Sequence, residues 1–186
     1  MASQLRRHQV ENLASQILDE HDVVQPPVDV KKIARQLGYQ VVLKYFPEED
    51  LSGTVIRDSK GLITLGINTL QAPVRQRFSI AHEIGHARLH LSKGSGESLF
   101  VDPPAGILFR DSRASLGDDP REVNANQFAA ALLMPAEMIR TSLSKLAGSS
   151  SRFTIDDAVE RLAKQFAVSH QAMRFRLVTL GFIEPA

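Results

Sequence analysis

The stretch His82-Glu83-Ile84-Gly85-His86 decides how the rest of this chain is read. It lies inside Pro73 to Leu91, whose pattern predicts one helix. Residues four apart on a helix sit one turn above each other on the same face. His82 and His86 can therefore aim two imidazoles at one ion. Glu83 follows the first histidine and projects beside it, placed to act as a general base on water. This HExxH pattern supplies two zinc ligands and a base from a turn and a half of helix.

The flanking residues support that reading. Ile80, Ile84, Ala87 and Leu91 form an apolar stripe, which Val74, Phe78 and Ala81 widen. Ser79, His82, His86 and His90 form a separate stripe, so the helix is expected to bury one side and turn its histidines toward a cleft. Pro73 suits the first helical turn, where a missing N–H costs nothing. The pentapeptide alone also arises by chance, and a helical histidine is often only a surface residue. The helical context and a third ligand downstream are what raise the metal reading above that alternative.

Composition sets the outer limits. The 186 residues suit one domain, or one with a small appendage, and can bury a real core. A hydrophobic share of 43% and a charged share of 23% are ordinary for a globular protein. The longest apolar run, Phe128 to Met134, is far too short to span a bilayer. The start, Met-Ala-Ser-Gln-Leu-Arg-Arg, has neither a signal-peptide core nor a myristoylation glycine. Without cysteine there are no disulfides, and a metal must take N and O ligands. These features place the chain in the cytoplasm as an expectation. A net charge of +1 gives no general argument for nucleic-acid binding.

Leu5 to Leu18 reads as a helix, and Asp29 as the cap of a second that ends at Gly38. Tyr39 to Tyr45 reads as a strand. Gly53 to Arg57 and Leu62 to Ile67 are two short strands joined by the turn Asp58-Ser59-Lys60-Gly61, hence a hairpin. A strand beside a peptidase cleft can pair with extended substrate through main-chain hydrogen bonds, and Leu62–Ile67 is a candidate for that role. It can equally serve only to complete the sheet. Ser92 to Asp119 is a long Gly-, Ser-, Pro- and Asp-rich loop, with extended pieces expected at Leu99–Val101 or Ile107–Phe109. Asp119-Pro120 starts a helix that reaches about Met134, and Pro135 opens another that ends near Gly148. After a polar linker, Thr154-x-x-Asp157 resembles a capping box. Ile155–Phe166 and His170–Leu180 then form a helical pair around Ala167-Val168-Ser169.

Catalytic zinc usually has three protein ligands. The extended His-x-x-Gly-x-x-His route is closed, because Leu89 and Ser92 stand at its last two fixed positions. Glu122, on the first turn of a later helix, is a candidate, and Asn126, Ala129 and Leu133 share its face. Asp111, Asp118, Asp119 and Glu137 compete for the role from loops or helix starts, where a ligand is held less precisely. The helix dipole alone also favours an acid at Glu122, so position leaves both readings open.

Two blocks now resemble a known family. Arg77-Phe78-Ser79-Ile80-Ala81-His82-Glu83-Ile84-Gly85-His86 and Glu122-Val123-Asn124-Ala125-Asn126-Gln127-Phe128-Ala129-Ala130-Ala131-Leu132-Leu133-Met134-Pro135 are similar to the ImmA/IrrE metallopeptidases. The match runs from about Asp29 to Pro135, and Leu162 to Gly181 resembles the family's usual tail. The resemblance implies that His82, His86 and Glu122 bind one Zn2+ per chain, with Mn2+ as an alternative, and that Glu83 is the catalytic base. It implies an α+β, zincin-like fold with a small antiparallel sheet, the HExxH helix and a C-terminal helix-turn-helix-like pair. Residues 1–148 would form the metallopeptidase domain, with 149–186 packed on it. It also implies a substrate. Family members cleave helix-turn-helix (XRE-type) repressors or antitoxins, which derepresses mobile-element, prophage or stress genes. Longer members carry a further sensing domain, which this chain is expected to lack.

Two side chains near the site carry weaker expectations. His90 is a candidate oxyanion donor, although a packing role is the simpler reading. Asn126 can hold a ligand, contact substrate or simply pack. A rival from another class is a DNA-binding regulator using Ile155–Leu180. From Arg152 to Arg176, five Lys/Arg face three acids, which is weakly basic, and direct nucleic-acid binding is not expected. A second rival is a non-catalytic regulator that binds the repressor without cutting it.

Overall fold

The computed structural model describes residues 7–47, 51–91, 98–101, 119–148 and 154–185. Along these the chain forms α1 (Arg7–Glu20), α2 (Val30–Gln36), β1 (Gln40–Lys44), β2 (Gly53–Arg57) and β3 (Ile63–Asn68). There follow α3 (Pro73–Leu89), β4 (Ser98–Val101), α4 (Pro120–Leu133), α5 (Ala136–Ala147), α6 (Ile155–Phe166) and α7 (His170–Thr179). The α+β class and the order of elements agree with the sequence reading. The extended piece expected at 107–109 lies outside the described residues.

Local chemistry sets the element ends. Asp29 accepts a hydrogen bond from the Lys32 backbone N–H at 3.0 Å and caps α2. Thr154 and Asp157 form the expected capping box at the start of α6. Ser169 caps α7 by accepting from the Ala172 N–H at 3.1 Å. In the β2–β3 turn, Asp58 Oδ1 accepts from the N–H groups of Lys60 and Leu62, both at 2.9 Å. Gly61 takes the left-handed conformation there, with φ +85°.

The sheet order is β1-β3-β2-β4. β2 runs antiparallel to both β3 and β4, while β1 runs parallel to β3. The sheet is thus mixed, with one parallel pair beside the expected antiparallel set. That arrangement revises one expectation. β3 is hydrogen-bonded on one side to β1 and on the other to β2, so it has no free edge for an extended peptide. The strand near Leu62–Ile67 completes the sheet. It does not receive substrate.

α3 lies against the sheet through β2 and β3, and packs on α2 and α4. Every residue from Ser79 to Ala87 is buried. The helix is therefore enclosed on both its apolar and its histidine stripes, more fully than an amphipathic surface helix. α4 covers the histidine-bearing part of α3, and α1 packs on α4. Phe128, Leu132 and Leu133 of α4 are fully buried, each worth roughly 1.5–3 kcal/mol of hydrophobic transfer free energy.

The C-terminal helical pair shares this core. Leu162, Phe166, Met173 and Leu177 belong to the same hydrophobic cluster as Val10, Ile17, Ile84 and Phe128. Two arginines fasten the pair by main-chain contacts. Arg77 of α3 donates to the Ala167 carbonyl at 3.1 Å and to the Val28 carbonyl at 2.9 Å. Arg176 of α7 donates to the Met134 carbonyl at 3.0 Å and grips the Glu11 carboxylate with both terminal nitrogens. No helix among the described residues is long and apolar enough to cross a membrane.

Candidate metal centre

The central turns of α3 and the first turn of α4 meet where the sequence places its candidate ligands. His82 and His86, four residues apart, project from one face of α3, and their ring centroids lie 4.6 Å apart. Their Nε2 atoms converge to 2.9 Å. Glu122 closes the triangle, with Oε2 at 3.3 Å from His82 Nε2 and Oε1 at 3.2 Å from His86 Nε2. The candidate ligand atoms of the three residues all lie within 4.8 Å of one another. Both histidines are buried, and the Glu122 side chain is 21% exposed. Asp111 and Asp118 lie outside the described residues. Among those described, only this trio gathers as a metal-binding set.

The donor set suits a divalent cation. Two imidazole Nε2 atoms 2.9 Å apart turn the same edge toward the same carboxylate, a convergence that one cation between the three groups would satisfy. Two nitrogens and a carboxylate are the protein ligands of a known class of catalytic zinc site. Electrostatics agree. Burial acts to raise the Glu122 carboxyl, but hydrogen bonds and charge from His82 and His86 outweigh it and hold the group well below the usual carboxylate range. Glu122 is therefore ionised wherever the protein is folded at ordinary pH, as a ligand must be.

α4 reaches this position because of how it starts. Asp119 caps the helix and Pro120 occupies its first turn. Asp119 accepts from the Arg121 N–H at 2.9 Å and pairs with the Arg121 guanidinium at 2.7 Å. This fixes the turn that carries Glu122. His90, beyond the last helical turn of α3, braces the same turn. Its Nε2–H donates to the Arg121 carbonyl at 3.1 Å, since a carbonyl can only accept. Burial, followed by the charge of His86, lowers the His90 pKa and favours the neutral ring that this contact uses. His90 thus serves as a brace between the two helices that carry the candidate ligands, with its Nε2–H committed to the Arg121 carbonyl. Asn126 Oδ1 is buried with no hydrogen-bond partner among the described residues.

Glu83 is fully buried beside the histidines. Its carboxylate lies against the main chain of β2 at Gly53, where a Cβ would stand 2.5 Å from Oε1. The sequence reading took Gly53 only as the start of a strand. Its one signal was a glycine opening a run of β-branched residues, where glycine weakens a strand unless something approaches it closely. Asn68 was also missed. It is fully buried, and its side-chain amide donates to the Leu51 carbonyl at 2.7 Å, which holds the approach to β2.

Comparison with known proteins follows the same outline. No curated protein matches the chain. Among solved structures, a Mycobacterium tuberculosis transcriptional regulator has a similar fold, with a TM-score of 0.56 at 18% sequence identity. The alignment covers 92% of this chain and 46% of that one, so the chain spans about half the length of this neighbour. Residues 34–178 match the Peptidase_M78 family, described as the IrrE N-terminal-like domain. This span runs from α2 through the HExxH helix and the Glu122 helix to α7, and on it the chain belongs to the IrrE N-terminal-like family of metallopeptidases.

Proposed function

We propose that this chain is a zinc-dependent endopeptidase that acts in the cytoplasm on a helix-turn-helix (XRE-type) repressor or antitoxin and so releases the genes it silences. The observation that carries the reading is the convergence of His82, His86 and Glu122 within 4.8 Å, with the buried carboxylate of Glu83 on the same helical turn. His82, His86 and Glu122 would hold the metal, Zn2+ or alternatively Mn2+. A cation bound there supplies Lewis-acid chemistry, polarising the scissile carbonyl and lowering the pKa of water. Glu83 then takes a proton from the attacking water and passes it to the leaving amine, so its oxygens must face the cleaved bond.

The regulator named on the neighbouring structure fits a repressor-linked role, although the likeness is one of fold. The DNA-binding alternative requires free basic side chains on α7. Arg176 is spent on Glu11 and Met134, and Arg174 pairs with Asp156 at 2.9 Å. This speaks for a helical pair whose work is structural or directed at protein.

The test is Glu83→Gln, made beside the wild type. Zinc content of about one per chain should survive the change, while cleavage of a helix-turn-helix repressor encoded beside this gene should disappear. A Glu83→Gln protein that still cuts at the wild-type rate would sink the assigned base.

A further inference from the structure

We propose that Gly53 is a positioning residue for Glu83: bare backbone at this point of β2 sets where the carboxylate stands. The proposal rests on the peptidase reading above and adds a residue to its machinery.

Gly53 has no conformational reason to be glycine. The positive-φ glycines among the described residues are Gly38, Gly61 and Gly181, and Gly53 is not one of them. It opens a strand continued by Thr54-Val55-Ile56-Arg57, where a side chain would be the ordinary choice. What its missing side chain makes room for is Glu83. The three atoms nearest to a Cβ at this position all belong to that residue: Oε1 at 2.5 Å, then Cδ and Cγ at 3.2 Å. No real Cβ sits 2.5 Å from an oxygen, so either the carboxylate or the strand must move.

The strand is held by hydrogen bonds on and beside Gly53. Gly53 pairs with Ile67 of β3. Just before it, the Ser52 carbonyl accepts from the Asn68 N–H at 3.1 Å and the Leu51 carbonyl from the Asn68 side chain at 2.7 Å. Asn68 is itself fully buried. Glu83 ends in rotatable bonds, so a methyl group at 53 displaces the carboxylate while leaving His82, His86 and Glu122 in place.

The test is a double-mutant cycle on the metal-free protein, read as melting temperature, with metal binding and kinetics alongside. Gly53→Ala should lower Tm by about 3 °C or more in the wild-type background. The same change in a Glu83→Ala background should cost little, because the crowded carboxylate is gone. Gly66→Ala is the control for crowding elsewhere in the sheet, since a Cβ there would meet Thr54 Oγ1 at 2.6 Å and none of the site residues. Its loss should be equal in both backgrounds. Gly53→Ala should still bind one Zn2+ per chain. Against a repressor that the wild type cuts, its kcat should fall roughly a hundredfold at unchanged KM, the cost of misplacing a reacting group by about 1 Å. Equal Tm losses for Gly53→Ala in the two backgrounds, or cleavage at the wild-type kcat, overturn the proposal. A coupled cycle in a chain that cuts no repressor supports the contact and removes the peptidase reading alone.

Discussion

Gly85 lies so close to Ala125 that a Cβ on it would stand 3.2 Å from the Ala125 Cα. Gly85 directly precedes the second HExxH histidine, and Ala125 is one turn along from Glu122. The close approach of α3 and α4 is what lets a glutamate on one helix reach histidines on the other. In a helix interior alanine is ordinarily better than glycine by about 1 kcal/mol. At position 85 the methyl group would also meet Phe128 Cδ1 at 3.1 Å. Gly85→Ala should therefore lower stability and weaken zinc binding roughly tenfold, as loss of ligand support does elsewhere. A calorimetric titration with Zn2+ and a thermal melt decide it. A more stable variant with unchanged zinc affinity would show that the helix contact is not limiting.

His90 offers a second test of the same junction. Its hydrogen bond to the Arg121 carbonyl joins the end of α3 to the turn bearing Glu122. His90→Ala removes the brace and leaves all three ligands chemically intact. Zinc affinity, measured by competition with a chromogenic chelator, should fall by about 10- to 100-fold. Glu122→Ala should fall further, because a ligand is lost outright. If His90→Ala matched the wild type, the capping of α4 by Asp119 alone would be sufficient to hold Glu122.

Much of this site was legible in the sequence, because its chemistry is local. His82 and His86 meet through helical periodicity, which needs no tertiary knowledge. The Asp119-Pro120 start of α4 was equally readable, since capping chemistry lies within a few residues. Glu122 stood open on position alone, and its pairing with the histidines depends on a helix crossing that only packing decides. Gly85 gave a hint, as a glycine tolerated in a helix interior. The sheet was less legible. The parallel pairing of β1 with β3 closes an edge that was open to either role, substrate pairing or completion of the sheet, and no pattern within Leu62–Ile67 records which neighbours flank it. Gly53 and Asn68 act through contacts between segments distant in sequence, and single-strand patterning is blind to those.

Metal removal gives a direct check on the trio. A ligand that binds only the folded protein stabilises it by RT ln(1 + [L]/Kd), about 2.7 kcal/mol at a hundredfold excess over Kd. For a chain of this length that corresponds to a Tm rise of about 5–10 °C. Chelator-treated protein should melt lower by that amount and recover on adding Zn2+. Glu122→Ala should show a much smaller rise. Equal rises in wild type and Glu122→Ala would place the stabilising metal elsewhere.

The last prediction concerns how the C-terminal helix is held. Arg176 is 2% exposed, and its side chain hydrogen-bonds to groups distant in sequence. One nitrogen donates to the Met134 carbonyl at the end of the Glu122 helix, and the other two grip Glu11 of α1. The Glu11 side chain is 25% exposed, so the pair is half-screened on one side only. Replacing the arginine leaves a carboxylate and a carbonyl without their donor in a low-dielectric setting, which costs more than the pair itself contributes. Arg176→Ala should lower unfolding free energy by about 3 kcal/mol in urea titration. Arg176→Met keeps the aliphatic stem against the core and should recover part of that loss. Glu11→Gln, which retains an acceptor for the guanidinium, should cost less than Arg176→Ala. The ligands themselves are untouched, so zinc stoichiometry should remain one per chain in all three variants. Loss of zinc from Arg176→Ala while it remains folded would instead mean that α7 controls the position of α4 through Met134.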